Sequence, residues 1–498
     1  MIPEGIGSSL VVSPKNTVSA WWVWLCWGAL TLLTGGLVLW LGISIPYWDE
    51  WDAIVPFITG ERAVSWATLW APHNEHRIAI PRLILLGLDS LTGHEFRSGM
   101  IVSLLLLSAT SAMLLGTVRK VRGHWNWTDA FFPCMLLNWG HAANLVMSFQ
   151  VQLVMAGCLG CAAAALVCGR DRPSAPRLAM LALVLAVWPL CSAAGIVCGL
   201  AIVPYFAACL FYCRDANQPL SRASLVIAAL ALVVIPVECL VTYVPRASIH
   251  PPAGDVGNLL RHIALEFGMA FGPVVRVVGF PLAAASLGLS GIAVWWLWRG
   301  RTPTGAAGAG PTESPGARQT DNAILNRRAE APRASHPLPR IGLALVIAAH
   351  LGLAAAIAWG RSGMGERAVL AARYVTLICP LLVAIYLAAV RFGSTPGHRF
   401  VTASLCLAHL ALYPANLIAS WSIVYPRKIE AAVLSREINL GVPLPDLVRR
   451  HSGVFYPSDA VFEHQLHKLH DARIGIFANI KLAPQTADTR EAHTSPKR

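Results

Sequence analysis

The segment that decides the fold is AWWVWLCWGALTLLTGGLVLWLGISIPYWDEWD, residues 20–52. Residues 20–44 carry no charged side chain, and an α-helix of this length can cross the hydrocarbon core of a bilayer, which takes about 20 apolar residues. Three carboxylates follow at once, those of Asp49, Glu50 and Asp52. We therefore predict a membrane-spanning helix that delivers an acidic segment to the membrane surface.

The composition of the whole chain agrees with this beginning. The protein has 498 residues, 55% of them hydrophobic and 13% charged, and its mean hydropathy of +0.56 is rare among water-soluble globular proteins. A helix satisfies its own backbone hydrogen bonds inside lipid, so we predict an all-α polytopic membrane protein with about eleven transmembrane helices. The predicted spans are 20–44, 97–118, 128–147, 151–168, 178–196, 198–214, 223–244, 279–298, 341–359, 373–391 and 400–421.

Basic loops orient these spans. Arg119, Lys120 and Arg122 follow the second span, and further arginines follow the fourth and the sixth. The positive-inside rule places such loops in the cytoplasm. The first span lacks a signal-peptidase site, so we expect it to be retained. The prediction is a multi-pass protein of the bacterial inner membrane, with a cytoplasmic N-terminus and a periplasmic C-terminus.

Composition also divides the chain into parts. Residues 1–298 are predicted to form the main transmembrane module, whose outer loop, 45–96, contains interfacial helices. Residues 299–340 are rich in Gly, Pro, Ala, Ser and Arg, which is typical of a disordered linker, here a cytoplasmic one. Residues 341–423 supply the last transmembrane helices, and residues 424–498 form a small periplasmic tail with amphipathic segments.

Two features that suggest other functions have simpler explanations. The net charge of +13 arises largely in loops beside the spans and forms no basic stripe with interleaved aromatic side chains, so we do not expect nucleic acid as a partner. The twelve cysteines lie in or at the ends of apolar spans, where cysteine packs as a small hydrophobe. Cys158 and Cys161 have CxxC spacing, but no second pair or nearby histidine completes a metal site.

The candidate catalytic residues are the acids of the first outer loop. A carboxylate at the membrane surface, partly desolvated and beside other acids, has the raised proton affinity of a general base. We predict Asp49 as the first choice for this base and Glu50 as the second, with Asp52 in the same set. The simpler interpretation is that the neighbouring tryptophans and tyrosine anchor the chain at headgroup depth and that the acids are incidental.

A second polar cluster in the same loop reads His73-Asn74-Glu75-His76-Arg77. At a spacing of i and i+3, His73 and His76 can share a helix face, and with an acid they would offer nitrogen and oxygen ligands to a divalent cation. HxxH is a weak metal motif by itself, so we assign no metal ligands. We favour hydrogen bonding of His73, Glu75, His76 and Arg77 to a phosphate or a sugar.

The loop between the ninth and tenth spans contributes arginines to the same side. It contains Arg361 and Arg367 and leads to Arg373-Tyr374. Arginines in a short outward loop oppose the positive-inside rule unless an anion binds there, and a guanidinium pairs bidentately with phosphate. We predict that Arg361 and Arg373, with Tyr374 beside them, bind phosphate. The alternative is that they pair with the first-loop acids or reach the lipid headgroups.

Amide and hydroxyl side chains cluster where the third and fourth predicted spans meet. They are Asn144, Ser148, Gln150 and Gln152. Such residues commonly hold helices together inside membranes, and an amide can equally line a sugar pocket. Gln150 is therefore a candidate substrate-binding residue of lower rank than the arginines.

Together these features resemble the C-type (GT-C fold) membrane glycosyltransferases, which include protein O-mannosyltransferases and lipid A aminoarabinose transferases. The resemblance lies in the acidic start of a long first outer loop, Trp48-Asp49-Glu50-Trp51-Asp52, the interfacial helices, the many spans and the outer C-terminal part; the His73–Arg77 cluster departs from it. It implies an inverting transfer of a hexosyl or pentosyl group from a polyprenyl-phosphate donor to an envelope glycan or lipid. Asp49 would activate the acceptor hydroxyl, and Arg361 or Arg373 would face the lipid phosphate.

Two other classes of function stay open. A transporter or flippase of an envelope lipid would need charged or broken-helix elements near the bilayer midplane, and Trp188-Pro189 and Ile235-Pro236 are the best candidates for such breaks. A non-enzymatic assembly factor would use the periplasmic tail for docking. We assign no cofactor, although the first loop allows a divalent cation.

Overall fold

The computed structural model describes residues 15–169, 173–212, 220–244, 251, 254–299 and 337–482. Most of the predicted linker and the last residues of the predicted tail lie outside these ranges. The α-helices are α1 (Lys15–Leu41), α2 (Glu50–Ala53), α3 (Val55–Ile58), α4 (Trp66–Leu69), α5 (Ala79–Thr92), α6 (Ser98–Arg122), α7 (Phe131–Leu136), α8 (Ala142–Leu145), α9 (Val151–Cys168), α10 (Ala175–Val187), α11 (Ala193–Ile202), α12 (Pro204–Tyr212), α13 (Arg222–Thr242), α14 (Val256–Phe267), α15 (Val275–Arg299), α16 (Leu338–Arg361), α17 (Glu366–Val369), α18 (Val375–Phe392), α19 (Thr395–Asn439), α20 (Leu444–Phe455) and α21 (Asp459–Asp471). The strands β1 (Pro72–His73) and β2 (His76–Arg77) form an antiparallel hairpin.

The predicted class, an all-α polytopic membrane protein, is confirmed. Within the described ranges, nine helical segments are long and apolar enough to cross a membrane. They are Trp21–Leu41, Ser98–Arg122, Ser148–Cys168, Ala193–Tyr212, Arg222–Thr242, Val275–Arg299, Leu338–Met364, Glu366–Phe392 and Thr395–Asn439. The predicted number of transmembrane helices, eleven, is larger because two predicted spans are not continuous long helices.

The first of these two is the predicted span 128–147. It consists of short 3-10 turns around α7 and α8. Pro133 lies in the first turn of α7, where its missing N–H breaks no helical hydrogen bond but a helix cannot run through it from the preceding turn. The side chain of Asn138 caps the next turn by accepting the Gly140 N–H at 2.8 Å. The segment is almost entirely buried inside the protein. Irregular backbone is tolerated at membrane depth in such a setting, where protein groups and not lipid surround it.

The second is the predicted span 178–196. Helix α10 has only 13 residues and ends at Val187, directly before Trp188-Pro189. Pro189 has no backbone N–H to donate to a carbonyl of the preceding turn, so the helix cannot continue through it. The chain turns there and starts α11 at Ala193. The turn is tight: a Cβ atom on Gly195 would lie 2.1 Å from the Trp188 carbonyl oxygen, so only glycine fits.

Helix α18 lies at the centre of the bundle. All of its 18 residues except Val390 and Arg391 are buried, and its aliphatic side chains belong to the main hydrophobic core. It packs against helices α6, α9, α15, α16 and α19. We call the end of the bundle where residues 45–96 lie the first-loop end, and the end that carries Arg122, Arg299 and Arg391 the opposite end.

A separate hydrophobic cluster forms a cap at the first-loop end. Helix α19 is 45 residues long and continues through the predicted boundary at residue 424 to Asn439. Its last turns, α20 and α21 pack around Trp51 of the first loop, whose ring meets Phe462 at 5.1 Å and Phe477 at 6.3 Å between centroids. Trp51 is therefore a core residue of this cap and not an exposed interfacial anchor.

We expect Trp51→Ala to loosen the cap. Removal of a fully buried tryptophan leaves a cavity and typically costs about 3–5 kcal/mol. Hydrogen–deuterium exchange of the purified protein should show faster exchange in α20 and α21 and unchanged exchange in α18. Trp66, which is 73% exposed, supplies the matched control: Trp66→Ala should leave exchange in the cap unchanged. Equal exchange of the cap in wild type and Trp51→Ala would contradict the packing described here.

Candidate functional site

The acidic segment is held in an unusual backbone conformation. Trp48 has a φ of +49°, a region that residues other than glycine seldom occupy. Its N–H donates to the Phe455 carbonyl at 2.9 Å, so the cap holds this conformation in place. Trp48 itself is 42% exposed. Backbone strain of this kind is frequently found at functional sites. The strained residue, Trp48, directly precedes Asp49.

Glu50 is buried, and its carboxylate is committed to the backbone. Only 3% of the residue is exposed, and its two oxygens accept the Tyr47 N–H at 2.7 Å and the Phe149 N–H at 2.9 Å. Burial raises the pKa of Glu50 to about 7, although these hydrogen bonds oppose the rise. The carboxylate thus joins the acidic segment to the start of the Ser148–Cys168 helix. This arrangement suits Glu50 to the role of a positioning residue better than to that of a base that contacts substrate.

This burial predicts a pH dependence of stability. Because the pKa of folded Glu50 is about 7 and its ordinary value is 4.5, the folded protein binds this proton more tightly than the unfolded chain. The stabilisation is complete below pH 4.5 and is lost as the pH rises through about 7. Thermal unfolding in detergent should therefore show wild type losing stability between about pH 5 and about pH 8, and Glu50→Gln losing less. Parallel pH profiles would contradict the assignment.

Asp52 points towards the cap. Its Oδ2 accepts the Tyr456 hydroxyl at 2.6 Å. Burial raises the pKa of Asp52, while this hydrogen bond lowers it. Of the three predicted catalytic acids, Asp52 therefore joins the acidic segment to the cap.

Asp49 is the acid that faces positive charge. It precedes α2 but makes no capping hydrogen bond to it. Burial raises the pKa of Asp49, and the charges of Arg373 and Arg361, with that of His76 when it is protonated, lower it. The structure thus brings four predicted site residues close together from two distant parts of the chain, the first outer loop and the loop between α16 and α18. The carboxylate retains raised proton affinity while it stands among cations, the combination that a general base near an anionic ligand needs.

The second polar cluster is a β-hairpin and not a helix turn. His73 and His76 pair across the two strands, and Asn74 at the turn has a φ of +55°. The expectation of a shared helix face is wrong. The two rings are nevertheless neighbours, 6.4 Å apart between centroids, because residues paired across antiparallel strands lie on the same face. The hairpin is fixed to the end of α13, where the Val244 N–H donates to the Glu75 carbonyl at 2.9 Å.

His76 is suited to be a neutral hydrogen-bonding group. Burial, together with the charge of the neighbouring His73, lowers the pKa of His76 to about 4. The imidazole is therefore uncharged at neutral pH. Among the described residues, no group of three or more His, Cys, Asp and Glu side chains is arranged to hold a metal ion, so the hairpin and the acidic segment offer a divalent cation no ready set of ligands.

Arg77 and Gln150, two further predicted substrate-binding residues, are engaged with the protein itself. The Arg77 guanidinium lies 5.1 Å from the centroid of the Trp70 ring and donates to the Trp70 carbonyl. Gln150 is buried, and its amide donates to Met147 Sδ at 3.4 Å. Both side chains stabilise the surroundings of the site. The amide of Asn144 does the same, since it donates to the Arg373 carbonyl at 2.8 Å.

The arginine loop between α16 and α18 is tied down at several points. His262 Nδ1 lies 2.8 Å from Ser362 Oγ, Arg261 pairs with Glu366 at 2.6 Å, and Arg276 Nη2 donates to the Leu370 carbonyl at 2.8 Å. Arg361 ends α16, and Arg373 lies in the 3-10 turn Ala372–Tyr374 that precedes α18. The Arg373 guanidinium lies 5.4 Å from the centroid of the Tyr374 ring. The loop is therefore preorganised around its two candidate phosphate-binding arginines.

Sequence reasoning missed one arginine of this group. Arg427 lies on α19, with its guanidinium 4.6 Å from the centroid of the Tyr47 ring, and it is close enough to Arg373 to feel its charge. The prediction ended the last span at residue 421 and assigned Arg427 to the tail. The available signal was the pair Arg427-Lys428 immediately after an outward-running span, where the positive-inside rule disfavours basic residues.

The chain matches no protein-family model, no curated protein and no solved structure. The likeness to C-type glycosyltransferases therefore stays an inference from the residues quoted above. The candidate site consists of Asp49 and His76 near Arg361 and Arg373 at the first-loop end of the bundle, with Arg427 close to Arg373.

Proposed function

We propose that the protein is a membrane glycosyltransferase that moves a sugar from a polyprenyl-phosphate donor to an envelope acceptor on the periplasmic face. The observation that supports the proposal is that Asp49 lies close enough to Arg361 and Arg373 for their charges to lower its pKa. A base for the acceptor and cations for the departing lipid phosphate are the two groups that such a transfer requires. All three residues lie at the first-loop end of the bundle, beside the ends of apolar helices.

In the proposed reaction, the Asp49 carboxylate takes the proton from the acceptor hydroxyl. The acceptor oxygen then forms a bond to the anomeric carbon, and the bond from that carbon to the phosphate oxygen breaks. The electron pair remains on the polyprenyl phosphate, where Arg361 and Arg373 stabilise the added charge. Neutral His76 is placed to hydrogen-bond a sugar hydroxyl or a phosphate oxygen, and Glu50 and Asp52 hold the segment that carries the base.

A lipid transporter is the second candidate, and the broken crossing at residues 127–147 favours it. Transporters commonly place discontinuous helices with polar side chains at membrane depth, and here His141 Nδ1 lies 2.8 Å from Thr376 Oγ1 inside the bundle. His141 Nε2 also lies 2.9 Å from the Met135 carbonyl oxygen, so both ring nitrogens already have protein partners. This favours a structural role for His141 and ranks transport second.

The test is mass spectrometry of envelope glycans and lipid-linked sugars in strains that carry the wild-type gene, a deletion, or Asp49→Asn. The transferase predicts loss of one glycosyl mass in both mutants and accumulation of the lipid-linked donor. A transporter predicts loss in the deletion strain and normal glycans with Asp49→Asn. Unchanged envelopes in both mutants would reject both candidates and favour an assembly factor.

A further inference from the structure

An open groove lies between α15 and α19 near the opposite end of the bundle. Its volume is about 590 Å³, within the range of roughly 300–1,000 Å³ that is typical of ligand sites. The groove and the candidate glycosyl site lie at opposite ends of α15. Arg276, at the start of α15, contacts the arginine loop of the candidate site. The groove lies along the last turns of α15. The lining residues are Gly288, Gly291, Ile292, Trp295, Trp296, Ser394, Gly397, Phe400 and Val401.

Glycines create this groove. A Cβ atom on Gly288 or Gly291 would meet nothing within 4 Å, so both positions open onto empty space. Gly397 has the opposite role, because its Cβ would lie 2.7 Å from Trp296 Cζ2. The two helices therefore approach closely at Gly397 and diverge beside Gly288 and Gly291. The close contact at Gly397 forms the floor of the groove. The absence of side chains at Gly288 and Gly291 makes the groove wide.

The walls of the groove suit a hydrocarbon chain. Trp295 is 44% exposed and Phe400 is 64% exposed, and both belong to segments apolar enough to span a membrane. The exposed side of such a segment contacts lipid. Lipid-facing space with apolar walls is filled by acyl chains, because water has no hydrogen-bonding partners there.

The charges beside the groove select the type of lipid. The Arg299 guanidinium lies 4.4 Å from the centroid of the Trp295 ring, and Arg399 is exposed next to Phe400. Residues 275–299 and 395–429 contain no Asp or Glu, so neither helix offers these arginines an acid of its own near the groove. Basic residues between transmembrane helices near a membrane surface attract anionic headgroups.

We propose that this groove binds an anionic phospholipid, with one acyl chain between α15 and α19 and the phosphate beside Arg299 and Arg399. The headgroup then lies at the membrane surface opposite the candidate glycosyl site, so this lipid is a structural partner and not the sugar donor. The proposal rests on the groove and its charges, and it holds whether or not the protein transfers a sugar.

The test uses the full-length protein, purified in detergent and depleted of lipid. Dioleoylphosphatidylglycerol and dioleoylphosphatidylcholine are added separately, and bound lipid is counted by native mass spectrometry. We expect wild type to retain one phosphatidylglycerol in preference to phosphatidylcholine. Gly291→Leu should weaken this retention at least about 10-fold, since the leucine displaces several methylene groups of the chain. Arg399→Gln should reduce the preference for phosphatidylglycerol.

Gly28→Leu is the matched control, because a Cβ at Gly28 on α1 also meets nothing within 4 Å and Gly28 lies outside this groove. It should bind phosphatidylglycerol as wild type does. If Gly291→Leu does not elute as folded protein, Gly288→Leu replaces it. Any of three results would overturn the proposal. Wild type and the leucine variant would retain equal amounts of lipid, or wild type would bind both lipids equally, or no lipid would bind because residues 300–336 or a second copy fill the groove.

Discussion

Asp49→Asn is expected to lower the rate of sugar transfer by about 10²–10⁴-fold, the usual contribution of a positioned general base. Asparagine keeps the size of the side chain and cannot take up the proton of an acceptor hydroxyl. Transfer by wild type should also fall as the pH drops through the raised pKa of Asp49, because the carboxyl must be ionised to act. The measurement is the rate at which the lipid-linked donor is consumed in membranes from the deletion strain complemented with each variant.

Glu61→Gln is the control for this substitution. Glu61 is an exposed acid of the same loop, and His464 Nε2 lies 3.2 Å from its Oε1. Its loss should leave transfer within about twofold of wild type, since exposed pairs contribute little. Asp52→Asn distinguishes the role of Asp52 from that of Asp49. It removes the charge that accepts the Tyr456 hydroxyl and should cost less activity than Asp49→Asn. Near-wild-type transfer by Asp49→Asn would show that Asp49 is not the base.

Arg373→Gln is expected to weaken binding of a polyprenyl phosphate by about 10–100-fold, the value of a hydrogen bond between charged groups of about 1.5–3 kcal/mol. Among the cations near Asp49, Arg373 lowers its pKa most, and the backbone of Arg373 is fixed by Asn144, so little rearrangement is available to compensate. Binding is measured on the purified protein by native mass spectrometry, with polyprenyl phosphate and the neutral polyprenol as probes.

The two probes and one further variant make this result specific. Arg436→Gln removes an exposed arginine of α19 and should bind polyprenyl phosphate as wild type does. Arg373→Gln should change binding of the neutral polyprenol only slightly. An equal loss for both probes would mean that the variant damages the apolar part of the site, and no loss for either would remove Arg373 from phosphate binding.

Much of the fold was predictable because lipid imposes one rule on every span. Runs such as residues 20–44 and 223–244 have to be helices wherever they lie in the bundle, since no other local structure satisfies the backbone in hydrocarbon. The rule fails for residues 128–147, which the rest of the protein surrounds. Whether a segment meets lipid or protein is a property of the packed bundle, and hydropathy does not distinguish the two.

Part of the site was predictable for a related reason. Asp49, Arg361 and Arg373 are charges at the ends of apolar runs, where charge is costly without a partner. The separate tasks of neighbouring acids were not predictable. Asp49, Glu50 and Asp52 are nearly adjacent along the chain, yet they face the arginines, the Phe149 backbone and Tyr456 respectively, and these partners come from residues about 100 to 400 positions away.

Repeated membrane crossing by helices, and the gathering of charge where several of them end, could be read from the order of residues along the chain. Both follow from the cost of leaving backbone or charged groups unsatisfied in hydrocarbon, which is local and additive along the chain. Only the packing of the folded chain shows which acid lies near the arginines, that Trp51 is buried in the cap, and that Arg427 lies close to Arg373. Those outcomes depend on burial and on long-range contacts, because a carboxylate lies near cations, accepts backbone N–H groups or contacts the cap according to what folds against it.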